Sequence, residues 1–409
     1  MSVKNPPHQT SAHTLSTPKP CAHDTNAHNK REAQQTQSTQ STQSAPTKSP
    51  AHSSLNQPST KTKPAYTQSP NKDNTDSTNT TDTAGTAQSP AKSAHSKPHS
   101  PHKALLLCLA LLLACASISA LVGNGSFGIP NTSILFDIRL PRILLAILVG
   151  CVLAGSGAVM QGMFKNALID PFLLGISSGA AFGCALCIWL HDSSLLQVFA
   201  FGFGYLTILG VVGVSYLCQN SSMSLILAGV VLSAFLGAMS GFIKFFVEPQ
   251  KAQTIVVWLL GSLNTAQWGD VWVALLGFCV GFLPLFCMRW RLNTLLLSDE
   301  QAISFGVPIV RLRIATLFCV SFAVALCVSV SGVIGWIGLV IPHIARFLFG
   351  ADMRFLLPAS LLLGGIGLTL ADGIARNVAY FDIPVGIVTS LLGAPFFLFL
   401  LVRFGYVRG

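Results

Sequence analysis

The sequence predicts an all-α integral membrane fold of ten segments, one of them short and interrupted, behind a long polar N-terminal tail. Three observations carry that prediction. From about residue 104 onward the chain is a series of long apolar runs separated by short polar turns. Charges stand at the ends of those runs rather than inside them, as a bilayer interior requires. Several runs reach the length, about 20 residues, that a helix needs to cross the hydrocarbon core.

Residues 1–103 are a different polymer, built from Ser, Thr, Gln, Asn, Pro, Ala, Lys and His. Such a segment cannot bury enough apolar surface to offset its ordering entropy, so it is expected to be disordered. It holds 11 of the 25 Lys and Arg but only 5 of the 15 acids. Most of the excess positive charge therefore lies outside the membrane core. Eight of the 10 histidines fall in this tail, irregularly spaced and without an acid or Cys pattern, which reads as solvated filler rather than a metal trap. The tail lacks the basic-then-apolar layout and small-residue cleavage site of a secretory signal. The 11 cysteines are mostly single and lie within apolar runs. Cys184 and Cys187 form a CxxC, yet with no basic neighbour and no second pair they read as small core hydrophobes.

Taken in order, Ala104–Val122 is the first spanning run, followed by a polar segment, Gly123–Pro141. The stretch Arg139–Ala180, RLPRILLAILVGCVLAGSGAVMQGMFKNALIDPFLLGISSGA, organises the rest. Ile143–Met163 carries no charge, a turn occupies Lys165–Pro171, and a second apolar run follows with Gly175, Gly179 and Gly183. Small residues of this kind let helix backbones approach closely inside a membrane. A turn at His191–Asp192 precedes the spans Leu195–Leu217 and Met223–Val247. Glu248–Gln267 is a longer connection with Trp258 and Trp268 near its boundaries, where indole rings favour the interface. Trp268–Met288 and Ile314–Ser331 cross on either side of a polar insertion, and Gly335–Phe349 is too short for an ordinary span. Phe355–Ile374 and Pro384–Val402 complete nine segments of full length and one short one.

The bias of Lys and Arg orients the chain. A cytoplasmic N-terminus puts the tail, Lys165, Arg289, Arg291, Arg311, Arg313, Arg346, Arg354, Arg403 and Arg408 inside, with both termini cytoplasmic. Only Arg139, Arg142, Lys244, Lys251 and Arg376 then fall outside. One reading has Arg139 and Arg142 neutralise Asp137, and Arg376 pair with Asp372 one turn earlier or with Asp382. The other makes the three arginines a positive rim for an acidic partner. Composition alone favours local pairing.

No GxxxxGK[ST] loop occurs, no Ser/His/Asp set shares a plausible pocket, and no bundle of intramembrane acids forms an ion relay. The driving energy is therefore expected on another chain. Two features could receive it. In Leu292–Val310, Ser298 caps a short helix whose first turn holds Asp299 and Glu300 and which ends at Gly306, a surface knob suited to docking. Gly335–Arg354 is a Gly- and Pro-interrupted apolar segment, the kind of backbone that carriers expose to a pathway. His343 alone there reads as a hydrogen-bonded structural residue.

Taken together, RLPR, SGAVMQ, Asn166…Asp170-Pro171 with LLGISSGA, GLVIPHIAR, the Asp372–Arg376 pair and IPVGIVTSLLGAPFFLFLL resemble the FecCD, or BtuC-like, family. These are permease subunits of type II ATP-binding-cassette importers for iron chelates and cobalamin. The resemblance runs from about residue 104 to the C-terminus, and the motif order is specific. It implies a ten-helix BtuC-like permease in a bacterial inner membrane, paired with a second permease subunit (a homodimer is expected). It also implies two separate ATPase subunits that carry Mg-ATP, an extracytoplasmic binding protein, no cofactor on this chain and no nucleic acid partner. It assigns binding-protein docking to Arg139, Arg142 and Arg376, and thereby favours the rim over local pairing. ATPase coupling falls to Ser298, Asp299, Glu300, Ala302 and Gly306 within about 293–310. Structural and pathway positions fall to Gln161, Asn166, Asp170, Pro171, Gly175, Pro342, His343, Arg346, Asp372, Pro384, Gly386, Gly393 and Pro395. Ala167, Ser298, Phe305 and Trp336 stand where the family more often has Pro, Gly, Leu and Phe, and the long tail lies outside the family pattern. The expected cargo is an iron chelate (a siderophore, ferric citrate or haem). Cobalamin is the alternative within the family, and a gradient-driven transporter the alternative of another class.

Overall fold

The computed structural model describes residues 101–404, apart from 124–125, 128–130, 191–192, 219–220 and 379–381. Of the tail expected to be disordered over residues 1–103, residues 1–100 lie outside those residues, as does the turn at His191–Asp192, while Pro101–Lys103 form the first turn of a helix instead. Fourteen α-helical pieces follow one another among the described residues. They are α1 Pro101–Leu121, α2 Leu140–Met163, α3 Ile176–Trp189, α4 Leu196–Leu217, α5 Ser222–Phe246 and α6 Pro249–Leu259. A bent helix is next, made of α7 Trp268–Gly277, a π-helical stretch Phe278–Phe282 and α8 Leu283–Cys287. Then come α9 Arg289–Leu292, α10 Asp299–Ser304, α11 Ile309–Ser331, α12 Ile337–Phe349, α13 Met353–Asn377 and α14 Val385–Phe404.

Seven helices among the described residues are long and apolar enough to cross a membrane, and Ile176–Trp189, Ile337–Phe349 and Val385–Leu400 are shorter apolar helices. Nine full-length segments were expected, and the clearest departure is the third. Its apolar run is divided at Gly175, whose φ of 87° lies in the left-handed region, between a 3-10 turn Pro171–Leu174 and α3. Asp170 starts that turn: its Oδ1 accepts a hydrogen bond from the Phe172 amide at 2.8 Å. Two polar connections are also more ordered than expected. The connection of residues 122–141 holds a small antiparallel pairing, Val122–Gly123 with Ser126–Phe127, and a π turn Ile134–Arg139 that leads into α2. The Glu248–Gln267 connection contains α6, held down by the buried Ile255.

Helix α2 is the axis of the fold. In its apolar window 83% of residues are buried, against 22% for α1 and α5, so α2 is enclosed by protein and the other two lie on the outside of this subunit. It packs against α13, α12, α11 and α7. Two close approaches fix it. A Cβ on Gly150 would strike the carbonyl oxygen of Gly364 in α13, and one on Gly157 would strike that of Gly338 in α12. Lipid tails are as apolar as leucine, so van der Waals contact of this closeness does the work that the hydrophobic effect does in water.

Candidate functional site: charged clusters at the two ends of α2

With 24 residues, α2 is about 36 Å long at 1.5 Å per residue. A cluster of ionised side chains stands at each end of it.

At the N-terminal end Arg142 is buried one turn into α2, facing α13. Its Nε lies 2.9 Å from Asp372 Oδ1 and its Nη1 3.2 Å from Asp382 Oδ2. Asp372, 1% exposed, also faces Arg376 one helical turn later, with Nε to Oδ2 at 3.1 Å in poor alignment for a hydrogen bond. Arg376 Nη2 donates to the Ser119 hydroxyl and, at 3.4 Å, to the Ser119 carbonyl at the end of α1. Arg139 Nη1 donates to the Ala120 carbonyl at 2.6 Å. Asn264 Nδ2 reaches the Asp382 carbonyl at 3.5 Å. Thus α1, α2, α13 and the connection into α14 meet on three arginines and two aspartates, a net charge of +1. Breaking one partner of so buried a pair typically costs about 3–5 kcal/mol, because it leaves the other charge uncompensated.

This geometry corrects the local pairing with Asp137. Among the described residues no ion pair joins Asp137 to Arg139 or Arg142. Asp137 is exposed in the π turn before α2, whereas Arg142 turns inward to α13. The pairing of Arg376 with Asp372 stands, and Asp382 goes to Arg142 instead.

At the other end the knob is α10. Ser298 Oγ accepts from the Gln301 amide and Gln301 Oε1 accepts from the Ser298 amide, both at 3.2 Å, a full capping box. The helix closes in a Schellman motif: Gly306, with φ 72°, donates to the Ile303 carbonyl at 2.8 Å, and Val307 donates to that of Ala302 at 3.1 Å. Ala302 is the buried foot of the knob, while Glu300, Ile303 and Phe305 project outward. Asp299 ties the knob down. Both its oxygens receive Nη2 of Arg313, at 3.0 and 3.2 Å, and Lys165 Nζ lies 3.5 Å away. Arg313 is buried near the start of α11. Sequence reasoning counted it only as inside positive charge, and its pairing with an acid 14 residues earlier had no short-range signature. The capping box did have one, Ser-x-x-Gln.

Lys165 belongs to the turn after α2, where it takes a left-handed φ of 53°. Asn166 Oδ1 accepts from the Leu168 amide at 2.9 Å, an Asx turn, and Asp170 then starts the 3-10 turn. Burial pushes the Asp170 carboxyl up to about 6, against the lowering effect of the Phe172 amide. Pro171 packs on Gly338, where a Cβ would come 2.8 Å from the proline Cδ.

Between the ends lies the interrupted helix α12. Pro342 sits inside it, and the Leu339 carbonyl accepts from Gln161 Nε2 at 3.3 Å and from His343 Nδ1 at 2.8 Å. A carbonyl only accepts, so His343 carries its proton on Nδ1. Its ring stands edge-on to Phe397 of α14 at 5.4 Å. Arg346 closes the last turn of α12, where a cation suits the helix dipole. Trp336, with φ 70°, turns the chain into α12 and packs on Gly393 of α14. An apolar groove of about 320 Å³ opens beside it between α12, α13 and α14. Pro384 leads into α14, Gly386 donates to the Gly261 carbonyl at 3.1 Å, and Pro395 lies within the helix. The predicted residues thus fall into three groups: the arginine cluster, the knob with its turn, and the α12–α14 contact that joins them along α2.

Residues 103–403 match the model of the FecCD transport family. The chain is 56% identical over 270 residues, 66% of this chain and 82% of the relative, to the "Probable iron chelatin transport system permease protein" of Helicobacter pylori. It is 39% identical over 269 residues, 64% of this chain and 79% of the relative, to the molybdate import system permease protein MolB of Haemophilus influenzae. It is also similar to a solved structure of a candidate metal-chelate type ABC transporter in an inward-facing conformation. There the TM-score is 0.70 and the identity 36%, covering 74% of this chain and 99% of that one.

Proposed function

The chain belongs to the FecCD transport family, and from that premise we propose that it is the membrane-spanning permease of an ATP-binding-cassette importer that brings an iron chelate into the cytoplasm. It is a transport subunit, and ATP hydrolysis with its Mg-ATP belongs to separate ATPase subunits. An extracytoplasmic binding protein delivers the cargo, and a second copy of the chain completes the pathway in the bacterial cytoplasmic membrane. Both termini face the cytoplasm, so the knob end of α2 points inward and the arginine end outward.

The observation that carries this reading is the placement of two different kinds of charged cluster at opposite ends of one buried helix. At the inner end, Ser298, Asp299, Glu300, Ala302 and Gly306 build a rigid, capped knob with exposed Ile303 and Phe305, a surface that a partner ATPase can grip. At the outer end, Arg139, Arg142 and Arg376 supply a net positive charge for acidic groups of the binding protein. Movement at the knob reaches the turn after α2 through Asp299 and Lys165 and reaches α11 through Arg313. The pathway itself needs no covalent chemistry. The name of the relative at 56% identity supports iron as the cargo.

The test is ligand-stimulated ATP hydrolysis. The chain is reconstituted with its ATPase in lipid, and binding proteins loaded with a siderophore, ferric citrate, haem, cobalamin or molybdate are added in turn. Stimulation by one iron-loaded binding protein is the expected result. Stimulation only by cobalamin or molybdate would replace the cargo. Uptake by the chain in the absence of any ATPase would replace the class with a gradient-driven carrier.

A further inference from the structure

The two acids of the arginine cluster are held very differently. Asp372 is built into α13 and fully enclosed, with a side chain 1% exposed. Asp382 lies on the connection between α13 and α14, with a side chain 40% exposed, and touches Arg142 through a single oxygen. Arg142 meanwhile leaves Nη2 buried and without a hydrogen-bond partner. The end-on fork of this guanidinium, Nη1 and Nη2, is therefore half used. A carboxylate that took both nitrogens would replace one charge-assisted hydrogen bond by two parallel ones, the stronger arrangement.

We propose that Asp382 is a displaceable stand-in for the acidic residue of the docking partner. It occupies the Arg142 fork in the free permease and yields it when the binding protein docks. The inference rests on the docking reading given above. It adds a consequence for the chain itself. Asp382 also receives Asn264 on its carbonyl, and it precedes Pro384 and Gly386, whose amide holds the Gly261 carbonyl. Releasing the Asp382 carboxylate therefore loosens the entry to α14. That helix packs on Trp336 and His343 of the interrupted segment through Gly393 and Phe397. Docking at the outer surface is thereby converted into freedom of a pathway helix.

The experiment measures the dissociation constant of the loaded binding protein on the full permease–ATPase complex in lipid, for wild type, D382N, D137N and R139E. Asp137 is an exposed acid beside the same cluster without an ion pair to it, so D137N reports the effect of one added positive charge alone. The proposal expects D382N to bind several-fold tighter than wild type and tighter than D137N, and D382E to behave as wild type. Equal gains in D382N and D137N, or no gain in D382N, would overturn it. R139E tests the docking reading separately. If it binds as wild type does, the docking reading fails and the stand-in, which rests on it, falls with it. If R139E weakens binding and D382N does nothing, only the stand-in falls.

Discussion

At the scale of single residues, buried or half-buried charges decide the local structure. Asp299 holds a buried arginine, so D299A leaves Arg313 uncompensated. Losing a hydrogen bond to a charged group costs about 1–3 kcal/mol, to be read as a lower unfolding temperature, together with weaker stimulation of the ATPase by the loaded binding protein. Asp170 gives a pH-dependent expectation. Its carboxyl titrates at about 6 in the fold against an ordinary value of 3.8, so folding favours the protonated form. Its contribution to stability is present below about 4 and is lost as pH rises through about 6. D170N keeps an acceptor for the Phe172 amide, and unfolding of this variant in detergent should change less between pH 4 and 7 than that of wild type. D170A removes the cap and should cost about 1 kcal/mol throughout that range. Some of these contacts were legible in the sequence and others were not. Asp372 and Arg376 stand one helical turn apart, so their pairing follows from spacing. Arg142 finds Asp372 across 230 residues, and no local pattern announces a partner that far away.

At the scale of elements, the helices follow from apolar runs and their punctuation, and departures arise where a local device overrides the run. The third segment reads as one span by hydropathy, yet the left-handed Gly175 divides it, behind a 3-10 turn that Asp170 and Pro171 open. The knob was legible because its cap, its acidic first turn and its terminal glycine are all local signals. Its anchorage on Arg313 is a tertiary contact and was not. Contacts of α2 through glycine make the sharpest element-level prediction. G157A must push α12 away from α2, because a methyl group meets the Gly338 carbonyl. Such overpacking should cost about 1–3 kcal/mol, seen as less folded permease recovered from the membrane. G202A is the control. That position is helical, with nothing within 4 Å of the added Cβ, and the change should be neutral or should stabilise by up to about 1 kcal/mol.

At the scale of the whole molecule, the described residues 101–404 belong to one membrane body, and the family match starts at residue 103. Deleting residues 2–100 should leave complex formation and cargo-stimulated ATP hydrolysis largely intact, and loss of the assembled complex on that deletion would contradict it. The overall class was legible because lipid restricts spanning structures so severely, and apolar length with charge placement nearly suffices. Which ends of which helices meet was not, because in a bundle this is settled by side-chain fit between segments far apart in sequence.

The distance along the chain between Arg142 and Asp372 also bears on how the protein is made. At roughly 5–20 residues per second, a ribosome needs on the order of 10–45 s to pass from one to the other. For most of that interval α2 has been synthesised but neither α12 nor α13 is yet there to receive its glycine faces. A guanidinium is costly among lipid tails, so the nascent α2 must wait with Arg142 at the aqueous edge or in the care of the insertion machinery. Assembly of this membrane body is therefore expected to be late and nearly all at once, with the central helix seated only after the thirteenth has emerged.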